Sequence, residues 1–277
     1  MQVEEYYLLG KRGDAESCED AIVVNDRLAA VLDGTTSQVP GRDGHVSPGR
    51  KAVDRIAEAL ETMPGDADAF ACFTRLNAAV AEIYREEGTY EQAQSNPEYR
   101  SSAAAIVYSR FRSELWLIGD CQALVDDRKI TAWKDADALL SEVRSMYLES
   151  ELLRGKTIEE LRHDDTGRGY IRELLVRQKQ FQNLNRDLPY AFHVLDGFLE
   201  EVEPAVEVHR VPPDCRRLVL ASDGYPVLEP TLAASERSLA EIIERDPLCF
   251  RSFKSTKGVY GDNISFDDRA YLSLRLG

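Results

Sequence analysis

Apolar segments with strand and helix patterns come in blocks along this chain of 277 residues. Two or three predicted strands are followed by two predicted helices, and later strands follow the last helical stretch. The strict alternation of strand and helix that is typical of a doubly wound parallel sheet is missing. Blocks of this kind favour antiparallel sheets that carry helices on their outer faces. No linker rich in Pro, Gly or Ser interrupts the chain, so we expect one domain.

Hydrophobic spacing predicts where these elements lie. Apolar runs predict strands at residues 6–10, 21–25, 28–32, 103–108, 114–118, 122–125, 190–195, 205–210, 217–221 and 269–276. Helical spacing predicts a helix after Ser47-Pro48, helices along 70–84, 136–148 and 170–181, and one that begins at a Ser235 cap. The polar segment 88–100 is predicted to be a loop. Because no strand is expected between 135 and 182, we interpret about 135–188 as a helical insertion in a single domain spanning 1–277.

Composition argues against several classes of protein. The chain has 34 basic and 49 acidic residues and a net charge of −15, whereas binding to nucleic-acid phosphates needs clustered Lys and Arg. No run of about 18 apolar residues predicts a membrane helix, and the acidic first residues predict no signal peptide. Five cysteines lie far apart with no C-x-x-C pair, which argues against a zinc site or a disulfide framework. A reducing cytoplasm is the expected location.

Acidic residues directly follow three of the apolar strands, in Asp33-Gly34, Gly119-Asp120 and Asp223-Gly224. A bare carboxylate within a buried strand costs too much desolvation, but at the strand end it lies at the rim of the sheet. Strands that share a sheet can bring several rims together, where carboxylates repel one another unless a cation lies among them. Mg²⁺ and Mn²⁺ prefer all-oxygen ligands of this kind. Glu19-Asp20 and Asp262-Asn263 are two further acidic sites that fit a metal centre.

A simpler interpretation of these acids stays open. Asp-Gly is a common hairpin-turn dipeptide, so each one taken alone fits a turn. Spacing by itself therefore leaves a metal site and coincidence as alternatives. The neighbouring Asp267-Asp268-Arg269 is interpreted as a turn with a surface ion pair before the last strand.

Taken in order, these motifs resemble the type 2C family of metal-dependent serine/threonine protein phosphatases. The matching segments are Glu19-Asp20-Ala21, 31–34, 101–105, 117–120, 218–224 and Gly261-Asp262-Asn263. The resemblance spans about residues 4–276 and leaves most of 135–188 unmatched. It implies an α+β fold, namely a four-layer α-β-β-α sandwich of two antiparallel sheets flanked by helices, with a helical insertion.

The resemblance also implies a site for two Mn²⁺ or Mg²⁺ ions at one end of the sandwich. Asp33 would bridge both ions, and Asp223 and Asp262 would hold the first. Glu19 and the carbonyl group of Gly34 would hold the second. A water shared by two such ions can attack phosphorus in line with the leaving oxygen, so no protein nucleophile is needed.

Further positions are implied by the same resemblance. Asp20 would be a second-shell residue that orients bound water, and Asp120 matches a position near an optional third ion. The family usually places a phosphate-binding arginine where this chain has Ala15. Arg12 or Lys11 is the alternative phosphate-binding residue that the sequence offers.

The predicted function is hydrolysis of phosphate monoesters, with phosphoserine or phosphothreonine in a protein as the expected substrate. No nucleic-acid or membrane partner is expected. The missing arginine favours one alternative, a relative of the same fold that has lost catalysis and acts as a regulator. A small-molecule phosphatase is a second alternative. An amide hydrolase with an N-terminal nucleophile is disfavoured because Met1-Gln2-Val3 offers no such group.

Overall fold

A computed structural model describes residues 1–39, 46–132, 134–184, 186 and 188–277. The strands among these residues are β1 (Gln2–Leu9), β2 (Ala21–Val24), β3 (Leu28–Gly34), β4 (Ala103–Ser109), β5 (Glu114–Ile118), β6 (Gln122–Val125), β7 (Arg128–Thr131), β8 (Glu207–Arg210), β9 (Arg217–Ala221) and β10 (Arg269–Arg275). The helices are α1 (Pro48–Glu61), α2 (Ala69–Glu86), α3 (Tyr90–Ser95), α4 (Asp135–Leu153), α5 (Ile158–His163), α6 (Thr166–Arg177) and α7 (Leu232–Arg245). Short 3₁₀ turns lie at Pro97–Tyr99, Gln178–Phe181 and Glu203–Ala205.

The described strands form two antiparallel five-stranded sheets. Sheet A has the order β1-β10-β9-β6-β7, and sheet B has the order β2-β3-β4-β5-β8. β3 and β5 both pair with β4 in sheet B, and β10 and β6 both pair with β9 in sheet A. The ends of β3 and β5 therefore lie in one sheet, and those of β9 and β10 lie in the other. This topology confirms the predicted α+β class with two antiparallel sheets.

Apolar side chains alternate between the two faces of each sheet, which produces the layers. Val31 and Ile106 of sheet B pack against Leu220 and Leu272 of sheet A between the sheets. The opposite face of sheet B packs on α1 and α2, and the opposite face of sheet A packs on α7. With both faces covered, every residue of β4 is buried. The order of layers is therefore helix, sheet, sheet, helix, as predicted.

Helix α1 shows how local sequence sets the bounds of an element. The Ser47 hydroxyl accepts a hydrogen bond from the Arg50 backbone N–H, and Pro48 occupies the first turn, where a missing N–H costs nothing. Val53 and Ile56, which follow at helical spacing, are fully buried against sheet B. The first predicted helix is thus confirmed together with its cap.

Three local predictions were wrong. The segment 190–195 forms no strand among the described residues, because the Asn183 side chain both donates to and accepts from the Val194 backbone, and only isolated bridges remain. The cap of α7 is Thr231, and Ser235 lies inside the helix with its hydroxyl bonded to Glu229. The predicted loop 88–100 contains α3.

Within the described ranges, no helix combines the length and apolar character that crossing a membrane requires. Helices α4, α5 and α6 occupy the segment between β7 and β8. They pack on one another and on residues 248–250 through two small apolar clusters rather than through the core between the sheets.

Candidate functional site

Four aspartates from the ends of four strands line one cavity of about 300 Å³. Asp33 ends β3 and Asp120 follows β5, both in sheet B. Asp223 follows β9 and Asp267 precedes β10, both in sheet A. The Asp223 backbone N–H lies 3.4 Å from Oδ2 of Asp33, which joins the two sheets at this rim. The two sheets therefore bring acids that are far apart in sequence to a common pocket.

Asp33 and Asp223 are acids with little positive charge close to their carboxyl groups. No described cation lies within 4 Å of either carboxylate. Burial, followed by repulsion from Asp20 and Asp120, holds the pKa of Asp33 well above its usual range. Burial and the charges of Asp33 and Asp267 do the same to the pKa of Asp223.

Asp20 lies behind this pair and is fully buried, at 1% exposure. Its Oδ2 atom has no hydrogen-bond partner among the described residues. Burial and the charge of Asp268 raise the pKa of Asp20 well above its usual range. A buried carboxylate oxygen without a partner is costly, and a cation nearby is one way to offset that cost.

The remaining acids are paired with lysines. Lys134 Nζ lies 2.7 Å from Asp120 Oδ2, and Lys257 forms an ion pair with Asp267. Although burial opposes it, the Lys134 charge lowers the pKa of Asp120 below its usual value. At Asp267, burial favours a raised pKa, but the charge of Lys257 outweighs it, so the pKa of this carboxyl lies below its usual value. These two acids are therefore held in their charged form.

Glu19 lies beside the cavity but does not line it. Its carboxylate accepts hydrogen bonds from the hydroxyls of Thr36 and Ser47, and Lys11 Nζ lies 3.6 Å away. Gly34 is packed so closely that a Cβ there would lie 2.6 Å from the Glu19 backbone oxygen. Glycine is thus required at this position, which keeps the Gly34 backbone on the cavity wall.

The structure does not bring Asp262 or Arg12 to this pocket. Both residues are exposed, and neither lines the cavity. Asp267 lines the cavity instead of Asp262. The interpretation of Asp267 and Asp268 as part of a surface turn was wrong, because these residues are buried, at 7% and 3% exposure. A signal was present in the sequence, since Asp267-Asp268 directly precedes the apolar strand β10.

Helices α4 and α6 and the segment 253–257 form much of the cavity wall. Six cationic side chains line it within the described ranges: Lys129, Lys134, Arg168, Lys179, Lys254 and Lys257. The cavity therefore combines a cluster of acids at the strand ends with cations from the helical segment and the loops. A pocket of mixed charge suits a ligand that carries both signs, such as a phosphate with divalent ions.

The chemistry of the acids fits hard divalent cations. The oxygens of Asp33, Asp223 and Asp20 are the donors that Mg²⁺ and Mn²⁺ prefer. Burial and the neighbouring carboxylates raise the pKa of each of these three groups. No group of three or more Asp, Glu, His or Cys side chains in the described part of the chain is already arranged around one point. Asp120 and Asp267 are instead paired with Lys134 and Lys257 on the cavity wall.

Solved structures similar to this chain include the serine/threonine phosphatase PstP/Ppp of Mycobacterium tuberculosis, at 19% identity over 99% of both chains with a TM-score of 0.47. The catalytic domain of PstP in complex with two manganese ions matches at 16% identity over 99% and 98% of the chains, with a TM-score of 0.48. Stp1 of Staphylococcus aureus, a serine/threonine phosphatase, matches at 16% identity over 100% and 96%, with a TM-score of 0.46. The chain is similar in structure to bacterial serine/threonine phosphatases.

No family model and no curated protein matches this sequence. At these identities the likeness to the solved structures concerns the fold alone.

Proposed function

We propose that this chain is a Mn²⁺- or Mg²⁺-dependent phosphatase that hydrolyses phosphate monoesters. One observation carries the proposal: strand ends of both sheets deliver Asp33, Asp120, Asp223 and Asp267 to one cavity that cationic side chains also line. Acids without positive partners favour divalent ions, and nearby cations favour an anionic substrate. When bound, such ions supply an acidified water and offset charge on the phosphoryl oxygens.

The chain's own residues have distinct roles in this proposal. Asp33 and Asp223 would hold the ions, and Asp267 takes the place first given to Asp262 because it lines the cavity. Asp20 would act through its neighbours, by holding negative charge behind Asp33 and accepting from water. Asp120, paired with Lys134, would serve an additional ion or position that lysine.

Glu19 and Gly34 remain proposed ligands of a second ion. Thr36 and Ser47 hold the Glu19 carboxylate in place, and Gly34 packs on the backbone of the same residue. A short shift of the Glu19 side chain away from these hydroxyls would free both of its oxygens.

The expected substrate is a phosphorylated serine or threonine side chain in a protein. A volume of about 300 Å³ is at the lower end of ligand pockets and fits a phosphorylated side chain. The segment 135–188, which we interpret as an insertion in a single domain spanning 1–277, contributes α4 and α6 to the cavity wall and would contact the residues around that side chain.

The test is hydrolysis of an aryl phosphate with and without Mn²⁺ or Mg²⁺. Activity should require the metal, and Asp33→Asn and Asp223→Asn should each lower kcat roughly 100-fold or more, the scale of a lost contact to transition-state charge. Asp54→Asn, an exposed acid of α1, is the matched control. Full metal-dependent activity in Asp33→Asn would refute the assignment.

A second candidate is a regulator that has lost catalysis. It is favoured by the lysines that already pair with Asp120 and Asp267, and by the absence of an arginine at Ala15. Calorimetric titration with Mn²⁺ separates the two: no binding at millimolar Mn²⁺ supports the regulator. Phosphoserine and phosphothreonine peptides compared with small phosphate esters then separate a protein phosphatase from a small-molecule one.

A further inference from the structure

Lys179 differs from the other lysines of the cavity wall. It lies in the 3₁₀ turn Gln178–Phe181 that follows α6, and it lines the same cavity as Asp33 and Asp223. Its ammonium group donates hydrogen bonds to Ser102 Oγ at 3.3 Å and to Gln182 Oε1 at 3.1 Å. Both acceptors are neutral, so they orient the ammonium group without offsetting its charge.

Three neighbouring lysines each have a carboxylate partner. Lys134 pairs with Asp120, Lys254 with Glu142 and Lys257 with Asp267. Lys129 has no such partner among the described residues, but it is exposed. Among the described lysines of the cavity wall, Lys179 thus combines a half-buried position with the lack of a carboxylate within 4 Å. Arg168 is also half-buried, but its Nη1 donates to the Thr256 carbonyl at 2.8 Å.

One of the acids that act on Lys179 is occupied elsewhere. Asp196 is fully buried, and its Oδ2 accepts from Arg100 at 2.9 Å and from Gln182 at 2.7 Å. Gln182 therefore bridges Lys179 and Asp196 and holds the lysine in place.

The electrostatic balance around Lys179 agrees with this geometry. Burial and the charge of Lys134 lower the pKa of Lys179 to about 8, although Asp137, Asp196 and Asp120 act in the opposite direction. Because Lys134 repels Lys179, and no described carboxylate lies within 4 Å of Lys179, an anion bound here would be stabilised by its charge.

We propose that Lys179 binds the phosphoryl group of the substrate, and so fills the role for which the sequence offered Arg12 or Lys11. The inference rests on the proposed phosphatase function, and it names the residue that recognises the phosphate monoester dianion. Lys179 would act by a charge-assisted hydrogen bond to a phosphoryl oxygen, while Ser102 and Gln182 hold its Nζ in place at the cavity wall. Arg12 is exposed and does not line the cavity.

The first test measures the titration of Lys179 itself. Full-length protein with ¹³C-labelled lysine is titrated by NMR in Mg²⁺ buffer, with and without inorganic phosphate, and Lys179→Arg identifies the signal. Phosphate should raise the pKa of Lys179 by roughly one unit or more, because the anion stabilises the ammonium form. An unchanged Lys179 pKa, or no phosphate binding at tens of millimolar, would overturn the inference.

The second test compares two lysines of the same wall. Lys179→Met should raise both the KM for an aryl phosphate and the inhibition constant of inorganic phosphate roughly 10- to 100-fold, as expected for a lost hydrogen bond to a charged group. Lys179→Arg should restore most of the loss. Lys129→Met removes the same charge from an exposed position on the same wall, where it acts only by general electrostatic attraction, so its effect should stay below about three-fold. Equal effects in Lys179→Met and Lys129→Met would mean general electrostatic attraction and refute the specific contact.

The two hypotheses can fail separately. If Lys179→Met loses phosphate binding while the unmodified protein hydrolyses no ester, the proposed function fails and the phosphate contact stands. If hydrolysis is metal-dependent but Lys179→Met keeps the original KM and phosphate affinity, the function stands and the contact is refuted.

Discussion

Arg144 of α4 is fully buried and joins the helical segment to the loop that carries Lys257. Its Nη2 lies 2.6 Å from Asp165 Oδ2. Its Nη1 lies 2.8 Å from the backbone oxygen of Leu248 and 3.1 Å from that of Ser255. Arg168 adds a bond of 2.8 Å to the Thr256 carbonyl. The position of 248–257, and hence of Lys257 beside Asp267, depends on α4 and α6.

Replacing Arg144 by Met keeps the apolar stem of the side chain and removes the charge. Asp165 is then left buried with only the Arg168 backbone N–H at 2.9 Å, and the loop carbonyls lose their donor. Breaking one side of a buried ion pair costs about 3–5 kcal/mol. That is a large fraction of the roughly 5–15 kcal/mol by which domains are stable.

Urea unfolding measures this cost. Arg154→Met is the matched control, because Arg154 lies at the end of the same helix with an exposed side chain. Its partner Glu151 also pairs with Lys156, so the loss of Arg154 should cost at most about 1 kcal/mol. Adding Asp165→Asn to Arg144→Met should recover roughly 1–3 kcal/mol, since Asn can still cap α6 without a buried charge. Amide hydrogen exchange should increase in 249–257 in the single variant.

The reasoning is refuted if Arg144→Met lowers the free energy of unfolding by less than about 1 kcal/mol, or if it costs no more than Arg154→Met. Unchanged exchange in 249–257 together with a large loss of stability would place the effect in the helices alone.

Two further substitution pairs test the site and the strand ends. Asp267→Asn should lower metal-dependent hydrolysis roughly 100-fold, whereas Asp262→Asn should change it less than about two-fold, and the reverse order would restore Asp262 as the ligand. Gly119→Ala should lower the free energy of unfolding by more than about 2 kcal/mol, because φ is +82° and a Cβ would lie 2.4 Å from the Ala104 Cβ. Gly88 has a φ of +67° and open space around it, so Gly88→Ala should lower the free energy of unfolding by only about 1 kcal/mol. If urea unfolding gives equal losses for the two variants, the contact with Ala104 does not destabilise the Gly119 variant.

The central strands could be predicted because both of their faces are buried. β3, β4 and β9 read as continuous apolar runs, and the acids that follow β3 and β9 mark where burial ends. A short apolar run can form either a helix or a strand, but the length of these runs and the turn residues at their ends favour strands. The rim position of Asp33, Asp120 and Asp223 could therefore be deduced from local sequence.

The partners of these acids could not be predicted in this way. Lys257 and Lys134 lie in loops or at a helix start, and pattern says nothing about which cation meets which acid. The position of Asp267 at the rim could not be predicted for a related reason. Asp262 and Asp267 are five positions apart, and only the observed start of β10 at Arg269 shows which of the two lies at the end of the strand.

The cavity is flanked by acids without a cationic partner and by a lysine without an anionic partner among the described residues. Among the described residues, Asp33, Asp223 and Asp20 have no cationic partner within 4 Å, and burial raises their pKa values; Lys179 has no carboxylate within 4 Å, and burial lowers its pKa to about 8. These groups do not neutralise one another directly, because Lys134 and Lys257 already pair with Asp120 and Asp267. A divalent cation alone would leave Lys179 without an anion, and a phosphate alone would repel the aspartates. A phosphate ester together with divalent ions satisfies both demands at once, which is why a phosphatase explains this arrangement better than a metal-binding or an anion-binding protein.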